Sequence, residues 1–252
     1  PDGRYYFNFN RFIIVVFCSL WCYAFTIVLR EWRLEMTDRK KTLLHLIIGI
    51  AGAMAGSFCV ISFNANLLMK LPLVPRMAAM LFTYWIVAAV PFVIMLAAKD
   101  RPSDYGLSGE KLLKQVITGI ITGLCMSFVL TLLPIFAGKG DWVSNGHEYQ
   151  YLWQFIYDFV YFICAVSLTE EFVFRGFIYG KIRILSNSDT AAAIISSVLF
   201  GLFHFMGGNV VQLIMTGLIG LFLCLCRMKI KNCTLLSLII AHGIYDALIT
   251  VW

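Results

Sequence analysis

Long apolar stretches, separated by short polar segments, set the pattern of this chain. Eight of them are long enough, or nearly so, to cross a membrane as helices, since about 20 residues rising about 1.5 Å each span a hydrocarbon core of about 30 Å. They cover residues 12–29, 43–63, 77–98, 116–136, 152–179, 190–205, 210–226 and 235–252. The pattern predicts an all-α fold, a polytopic transmembrane helical bundle of about eight spans.

Composition supports a membrane protein over a water-soluble one. Of the 252 residues, 60% are hydrophobic and only 13% are charged, which is far from the balance of a soluble domain. We predict a single integral membrane domain over residues 1–252. In it, residues 1–136 form a scaffold of four helices, and residues 151–252 carry the functional side chains.

The distribution of basic residues predicts the orientation in the membrane. Fourteen Lys and Arg residues lie in the odd-numbered loops and five lie in the even-numbered loops and at the ends. The positive-inside rule therefore places the odd-numbered loops in the cytoplasm and both termini outside, and we expect the plasma membrane. The net charge of +6 is then a topology signal, and no nucleic-acid partner is expected. The odd-numbered loop at 99–114, which contains Ser103-Asp-Tyr-Gly-Leu107, is predicted to be a cytoplasmic linker.

Two small-residue motifs predict close helix packing. Gly52 and Gly56 lie four positions apart in the second apolar stretch, and Gly119 and Gly123 do so in the fourth. Such pairs let two membrane helices approach closely. We interpret both as packing within one molecule, not as a dimer interface.

The most unusual segment is Thr169–Gly176, which places two carboxylates and a guanidinium inside an apolar stretch. Each such group costs about 2.5–3.5 kcal/mol at the centre of a membrane helix. Glu171 and Arg175 are four positions apart, so they can pair and offset part of that cost. Glu170 points about 100° away from Glu171, and we expect it to face a different partner.

Two histidines lie in the apolar stretches that follow. Phe200 and His204 share one helix face, and so do His242 and Asp246. Counted from the predicted cytoplasmic helix ends at about 1.5 Å per residue, Glu170 lies about 20 Å deep and His204 about 22 Å deep. His242 comes out at about 12 Å, a mismatch that helix tilt or errors in the predicted boundaries would absorb.

The order Glu-Glu-x-x-x-Arg, Phe-x-x-x-His and His-x-x-x-Asp on successive predicted helices resembles the CPBP family of intramembrane proteases. That family, also called Abi, comprises CAAX proteases and bacteriocin-processing enzymes and includes the Ras-converting CAAX prenyl endopeptidases. The resemblance covers residues 169–249. It implies an endopeptidase whose active site lies in a cavity among the last four helices.

The resemblance also implies roles for individual residues. Glu170 would be the general base that activates water, and His204 would position that water. His242 and Asp246 would stabilise the oxyanion of the tetrahedral intermediate. Many family members have Asn where this chain has Asp246. Because an ionised carboxylate cannot donate a hydrogen bond, Asp246 would either be protonated or orient His242.

Three further residues would support the site according to the same resemblance. Glu171 and Arg175 would hold the helix and orient Glu170, and Phe200 would pack against the site. No cofactor is favoured, because the resemblance favours a metal-free glutamate mechanism. If zinc were bound, its ligands would be Glu170, His204 and His242.

Other functions remain open at this point. A non-catalytic bacteriocin self-immunity or membrane scaffold protein could share the fold, and a proton-coupled transporter could use the same polar residues as a relay. The absence of an inverted-repeat counterpart disfavours the transporter. The expected partners of a protease are a peptide or protein substrate at the membrane, prenylated or carrying a leader, and the lipid bilayer.

Overall fold

The computed structural model describes residues 37–140, 147–205 and 210–251, and these residues form helices and no strand. The predicted all-α fold is therefore confirmed. The predicted span at 12–29 lies outside the described residues, and each of the other seven falls on helix. The helices are α1 Asp38–Asn66, α2 Leu73–Thr83, α3 Ile86–Ala98, α4 Leu112–Phe136, α5 Leu152–Ser186, α6 Asp189–His204, α7 Val210–Lys229 and α8 Leu235–Ile249.

Five helical stretches in the described part of the chain are long and apolar enough to cross a membrane. They are Asp38–Lys70, Leu73–Ala98, Leu112–Phe136, Leu152–Ser186 and Val210–Lys229. The chain is thus an integral membrane protein. Helices α6 and α8 are apolar but have only 16 and 15 residues, fewer than a full crossing needs. The count of about eight spans stays a prediction.

The chain divides into two compact units. The described residues of the first are 37–101 and Phe177–Ile195, and those of the second lie within Pro102–Gly176 and 196–251. One boundary falls after α3, between Arg101 and Pro102, and the other two fall inside α5 and α6. All the predicted site residues belong to the second unit.

In the first unit, Gly52 and Gly56 allow α1 to pack closely against α3. A methyl group on Gly56 would lie 2.7 Å from the carbonyl oxygen of Ile86 and 2.8 Å from the Cα atom of Val87. Gly52 is packed in the same way against Val90, further along α3. Residue numbers rise along α1 as they fall along α3, so the two helices are antiparallel. The predicted packing of this motif within one molecule is confirmed.

In the second unit, the other glycine motif joins α4 to α8. A methyl group on Gly119 would lie 2.7 Å from the carbonyl oxygen of Ser237, and one on Gly123 would lie 2.8 Å from that of Ala241. Here the numbers rise together, so α4 and α8 are parallel. The contact at Ala241 fixes the α8 backbone directly before His242.

Helix α5 departs from regular α-helix at two places. The stretches Phe162–Ser167 and Phe172–Ile178 are π-helical, and Leu168–Glu171 between them is α-helical. Wide turns of this kind are rare and often occur at functional sites. The two glutamates therefore lie on a short regular segment between two widened ones.

The predicted linker after α3 is packed rather than free. It forms a short 3₁₀ turn, Pro102–Tyr105, in which Tyr105 is only 3% exposed. The ring of Tyr105 stacks on that of Phe172, with centroids 5.8 Å apart. Sequence patterning missed this packing because the segment is short and mostly polar.

Candidate active site

Three helices bring the four predicted catalytic residues together. On α5, the Glu170 Oε2 atom lies 3.8 Å from Nε2 of His204 on α6 and 4.0 Å from Nε2 of His242 on α8. Asp246, one turn further along α8, places its Oδ2 atom 3.3 Å from the same His242 nitrogen. The Glu170 side chain is 2% exposed, so this cluster lies inside the protein.

The separation between Glu170 and His204 leaves room for a bridging water molecule. At 3.8 Å it exceeds a direct hydrogen bond but allows one water molecule to hydrogen-bond to both groups. The His204 side chain is 22% exposed, which makes it the more accessible member of the pair. The geometry can therefore hold a water molecule between a carboxylate and an imidazole.

The ring orientation of His204 is set by its own helix. Its Nδ1 atom lies 2.9 Å from the carbonyl oxygen of Phe200, one turn earlier. Because a carbonyl only accepts, Nδ1 carries a proton and donates it, and Nε2 is the ring nitrogen that faces Glu170. The ring of Phe200 packs edge-on against that of His204 at 4.6 Å, which restricts its rotation.

His242 lies between two carboxylates. Its Nδ1 atom lies 2.7 Å from Oε1 of Glu171, and its Nε2 atom faces Asp246. The ionised Glu171 can only accept, so Nδ1 donates to it. In that tautomer Nε2 can donate to a further group only when the ring carries both protons. The two carboxylates thus fix the position of His242 and its electrostatic surroundings.

The predicted pair of Glu171 and Arg175 is present and completely buried. The Arg175 Nη1 atom lies 3.0 Å from Glu171 Oε1, as an ion pair and not as an aligned hydrogen bond. The guanidinium also lies over the Phe200 ring, 4.0 Å from its centroid, where a cation is attracted to the ring face. Arg175 therefore contacts both of the other predicted supporting residues, Glu171 and Phe200.

Sequence analysis missed the residue that makes room for this guanidinium. A methyl group on Gly220 of α7 would lie 2.9 Å from Arg175 Nη2 and 3.2 Å from the Phe200 ring. The only signal was a pair of glycines in an apolar stretch, Gly217 and Gly220, which carries no information about the partner.

The predicted depth mismatch has a structural explanation. His242 was counted from the start of α8 as if that end lay at the membrane surface. Leu235, the first residue of α8, is completely buried, so the helix begins inside the protein. A count from this buried end therefore does not measure the level of His242, whose Nε2 atom lies 4.0 Å from Glu170 Oε2.

The residues proposed as zinc ligands were tested against the geometry. The Nε2 atoms of His204 and His242 lie 3.8 and 4.0 Å from Glu170 Oε2. Among the described residues, no group of three or more His, Cys, Asp or Glu side chains has an arrangement able to hold a metal ion.

Comparison with known proteins gave one match. Residues 152–248 match the model of the family described as type II CAAX prenyl endopeptidase, Rce1-like. No curated protein and no solved structure matched the chain. The matched region contains every residue of the cluster around Glu170, and the predicted family is confirmed. Residues 152–248 of this chain thus match the CAAX protease family, in its Rce1-like group.

Proposed function

We propose that this protein is an intramembrane endopeptidase in which Glu170 activates the hydrolytic water. One observation carries the proposal: a buried carboxylate on α5 faces the Nε2 atoms of His204 and His242 at 3.8 and 4.0 Å. The family match supports a protease. A buried carboxylate in apolar helices is costly, so such an arrangement is expected only where it has a function.

In the proposed reaction, Glu170 takes a proton from the water as its oxygen attacks the carbonyl carbon of the scissile peptide bond. The carbonyl oxygen becomes an oxyanion. The proton held by Glu170 then passes to the leaving nitrogen as the carbon–nitrogen bond breaks. His204 orients the water throughout.

His242, carrying a proton on each ring nitrogen, is the proposed donor to the oxyanion: Nδ1 donates to Glu171, and Nε2 lies 4.0 Å from Glu170. Asp246 contacts the same nitrogen at 3.3 Å. An ionised carboxylate has no proton to donate, so we assign to Asp246 the orientation of His242 and not direct oxyanion binding.

The substrate is proposed to be a peptide or protein segment at the membrane. The family name supports a prenylated protein with a CAAX end, and a leader peptide is the other candidate. The site lies among apolar helices, so the scissile bond would have to enter from the bilayer or its surface.

The first test compares membrane and secreted peptides from cells that carry the wild-type chain, Glu170→Gln or Glu148→Gln. The first change keeps the size of the side chain and removes the base. The second makes the same chemical change at an exposed outer-loop residue. Fragments should appear with wild type and Glu148→Gln and be reduced at least 100-fold with Glu170→Gln.

Fragments that persist unchanged in Glu170→Gln would exclude Glu170 as the base. If wild type itself produces no specific fragment, the self-immunity or scaffold alternative gains support. Bacteriocin challenge of the same strains is then the decisive experiment, because only immunity predicts protection that does not depend on Glu170.

A metal-free mechanism makes its own prediction. Purified protein should contain far less than one zinc ion per chain and should keep its activity in a chelator such as 1,10-phenanthroline. Elemental analysis and cleavage of a fragment identified in the cell experiment provide the two readouts. Stoichiometric zinc, with activity lost on chelation and restored by zinc, would contradict it.

A further inference from the structure

A second arginine contacts the helix that carries the two glutamates. Arg227, near the end of α7, donates from Nη1 to the main-chain carbonyl oxygen of Arg175. This carbonyl lies within the π-helical stretch Phe172–Ile178, where the backbone departs from regular helix. The contact from Arg227 is charge-assisted, which makes it stronger than an ordinary backbone hydrogen bond.

The segment around Gly106 holds Arg227 in place. Gly106 has φ +86°, a conformation that favours glycine, and a side chain there would collide with the guanidinium of Arg227. The carbonyl oxygen of Gly106 accepts a hydrogen bond from the backbone N–H of Leu235 at 3.0 Å. The guanidinium is therefore confined between this segment and α5.

The same segment also contacts α5 itself. Tyr105 is buried and stacks on Phe172, directly after the two glutamates. Arg227 and Tyr105 thus contact α5 at Arg175 and at Phe172, on the first turn beyond Glu171. A shift of the backbone here would be transmitted to the glutamates, because Glu171 also pairs with Arg175 and bonds to His242.

We propose that Arg227 is a positioning residue for this site: it holds α5 at the Arg175 carbonyl so that Glu170 and Glu171 stay aligned with His204 and His242. The proposal rests on the proposed function for its catalytic consequence. Its structural part, that Arg227 holds α5 in place, depends only on the contact between Arg227 and the Arg175 carbonyl oxygen. It also gives the Ser103–Leu107 segment a role, as the support that confines Arg227.

Hydrogen–deuterium exchange tests the structural part without any substrate. In purified full-length protein, Arg227→Gln should speed amide exchange at residues 171–176 about tenfold or more, since a hydrogen bond from a charged donor is lost. Arg227→Lys should have a smaller effect. Lys229→Gln, an exposed residue two positions away on the same helix, is the matched control and should leave exchange unchanged.

The catalytic part is measured on the fragment that wild type produces and Glu170→Gln does not. With Arg227→Gln, kcat should fall about 10- to 100-fold with little change in KM, because catalysis is sensitive to displacements of about 1 Å. Arg227→Lys should recover part of the loss. A role in stability alone would lower the amount of folded protein and leave kcat per folded molecule unchanged.

Gly106→Ala provides a second route that leaves Arg227 itself intact. The added methyl group should displace the guanidinium and reproduce both the faster exchange and the lower kcat. Gly109→Ala is the control, because a methyl group there has no neighbour within 4 Å.

Unchanged exchange at residues 171–176 in Arg227→Gln would overturn the proposal, as would wild-type kcat in that variant. If Arg227→Gln fails to fold, amide exchange and kcat are measured instead on Arg227→Lys and Gly106→Ala. Fragments that form equally with wild type and Glu170→Gln would refute the proposed function and with it the catalytic consequence, while the exchange result still decides whether Arg227 holds α5.

Discussion

At the scale of single residues, every charged group at the centre of the cluster has a defined counterpart. Glu171 contacts both Arg175 and His242, and His242 contacts both Glu171 and Asp246. Inside apolar helices, such connected contacts offset the large cost of removing charges from water. The side chains of this cluster are therefore best understood as one network and not as separate pairs.

Removal of Arg175 tests whether this network stabilises the folded protein. Arg175→Ala leaves Glu171 buried without its guanidinium, and loss of one partner of a buried pair costs about 3–5 kcal/mol. We expect a lower yield of folded protein and a lower midpoint of thermal unfolding.

Arg183→Ala is the matched control, because Arg183 pairs with Asp189 at 2.9 Å but both side chains are about half exposed. Exposed pairs contribute about 0–1 kcal/mol, so this variant should unfold close to wild type. Equal stability of the Arg175 and Arg183 variants would show that the buried pair is not structural.

At the scale of elements, glycines decide which helices touch. Gly119 and Gly123 bring α4 against α8, and Gly201 and Gly220 bring α7 against α6 and the Arg175 side chain. Each of these positions has a backbone or ring within about 3 Å of where a side chain would begin. The helices that carry His204 and His242 are thus positioned by glycines, which have no side chain to keep the neighbouring helix away.

The close packing of α4 on α8 can be tested by adding one methyl group at Gly123. Gly123→Ala should destabilise the protein by about 1–3 kcal/mol, because the neighbouring atom is a backbone oxygen that cannot rotate away. Thermal unfolding in a fixed detergent measures the effect.

Gly217→Ala in α7 is the comparison, because its methyl group would lie 3.6 Å from the nearest atom, an ordinary van der Waals distance. It should be neutral or slightly stabilising, because alanine favours helix over glycine. A Gly123 variant as stable as the Gly217 variant would contradict close packing of α4 on α8.

At the scale of the whole molecule, the orientation in the membrane is the main open prediction. The segments around Gly106 and Arg227, both predicted to be cytoplasmic, meet in the second unit, where Gly106 packs against Arg227 and its carbonyl oxygen accepts a hydrogen bond from Leu235. Tyr149, in the predicted outer loop, instead contacts Thr250, just beyond the far end of α8. These contacts show which segments lie together within the unit, and which end of it is cytoplasmic stays a prediction.

Cysteine labelling in intact cells tests the orientation directly. With the native cysteines replaced by serine, Gln150→Cys should react with a membrane-impermeant maleimide. Ser186→Cys, also at an exposed position, should react only after the cells are permeabilised. The reverse pattern would invert the predicted topology.

Much of the fold and the site could be predicted because the signals are local. Apolar length identifies helices, spacing of four identifies the faces of Phe200–His204 and His242–Asp246, and the Glu171–Arg175 pair follows from helix geometry alone. The motifs then identified the family, and the family match covers the same region.

The sequence by itself thus determined the helices, the membrane class, the family and the side chains that form the cluster, since each depends on residues close together in the chain. Only the tertiary structure decided which carboxylate faces which nitrogen of His242, how deep α8 begins, and that Arg227 and Gly106 support α5. Those contacts join residues 52 to 121 positions apart or depend on burial of a helix end. No local pattern specifies them, because they arise only when distant helices pack together.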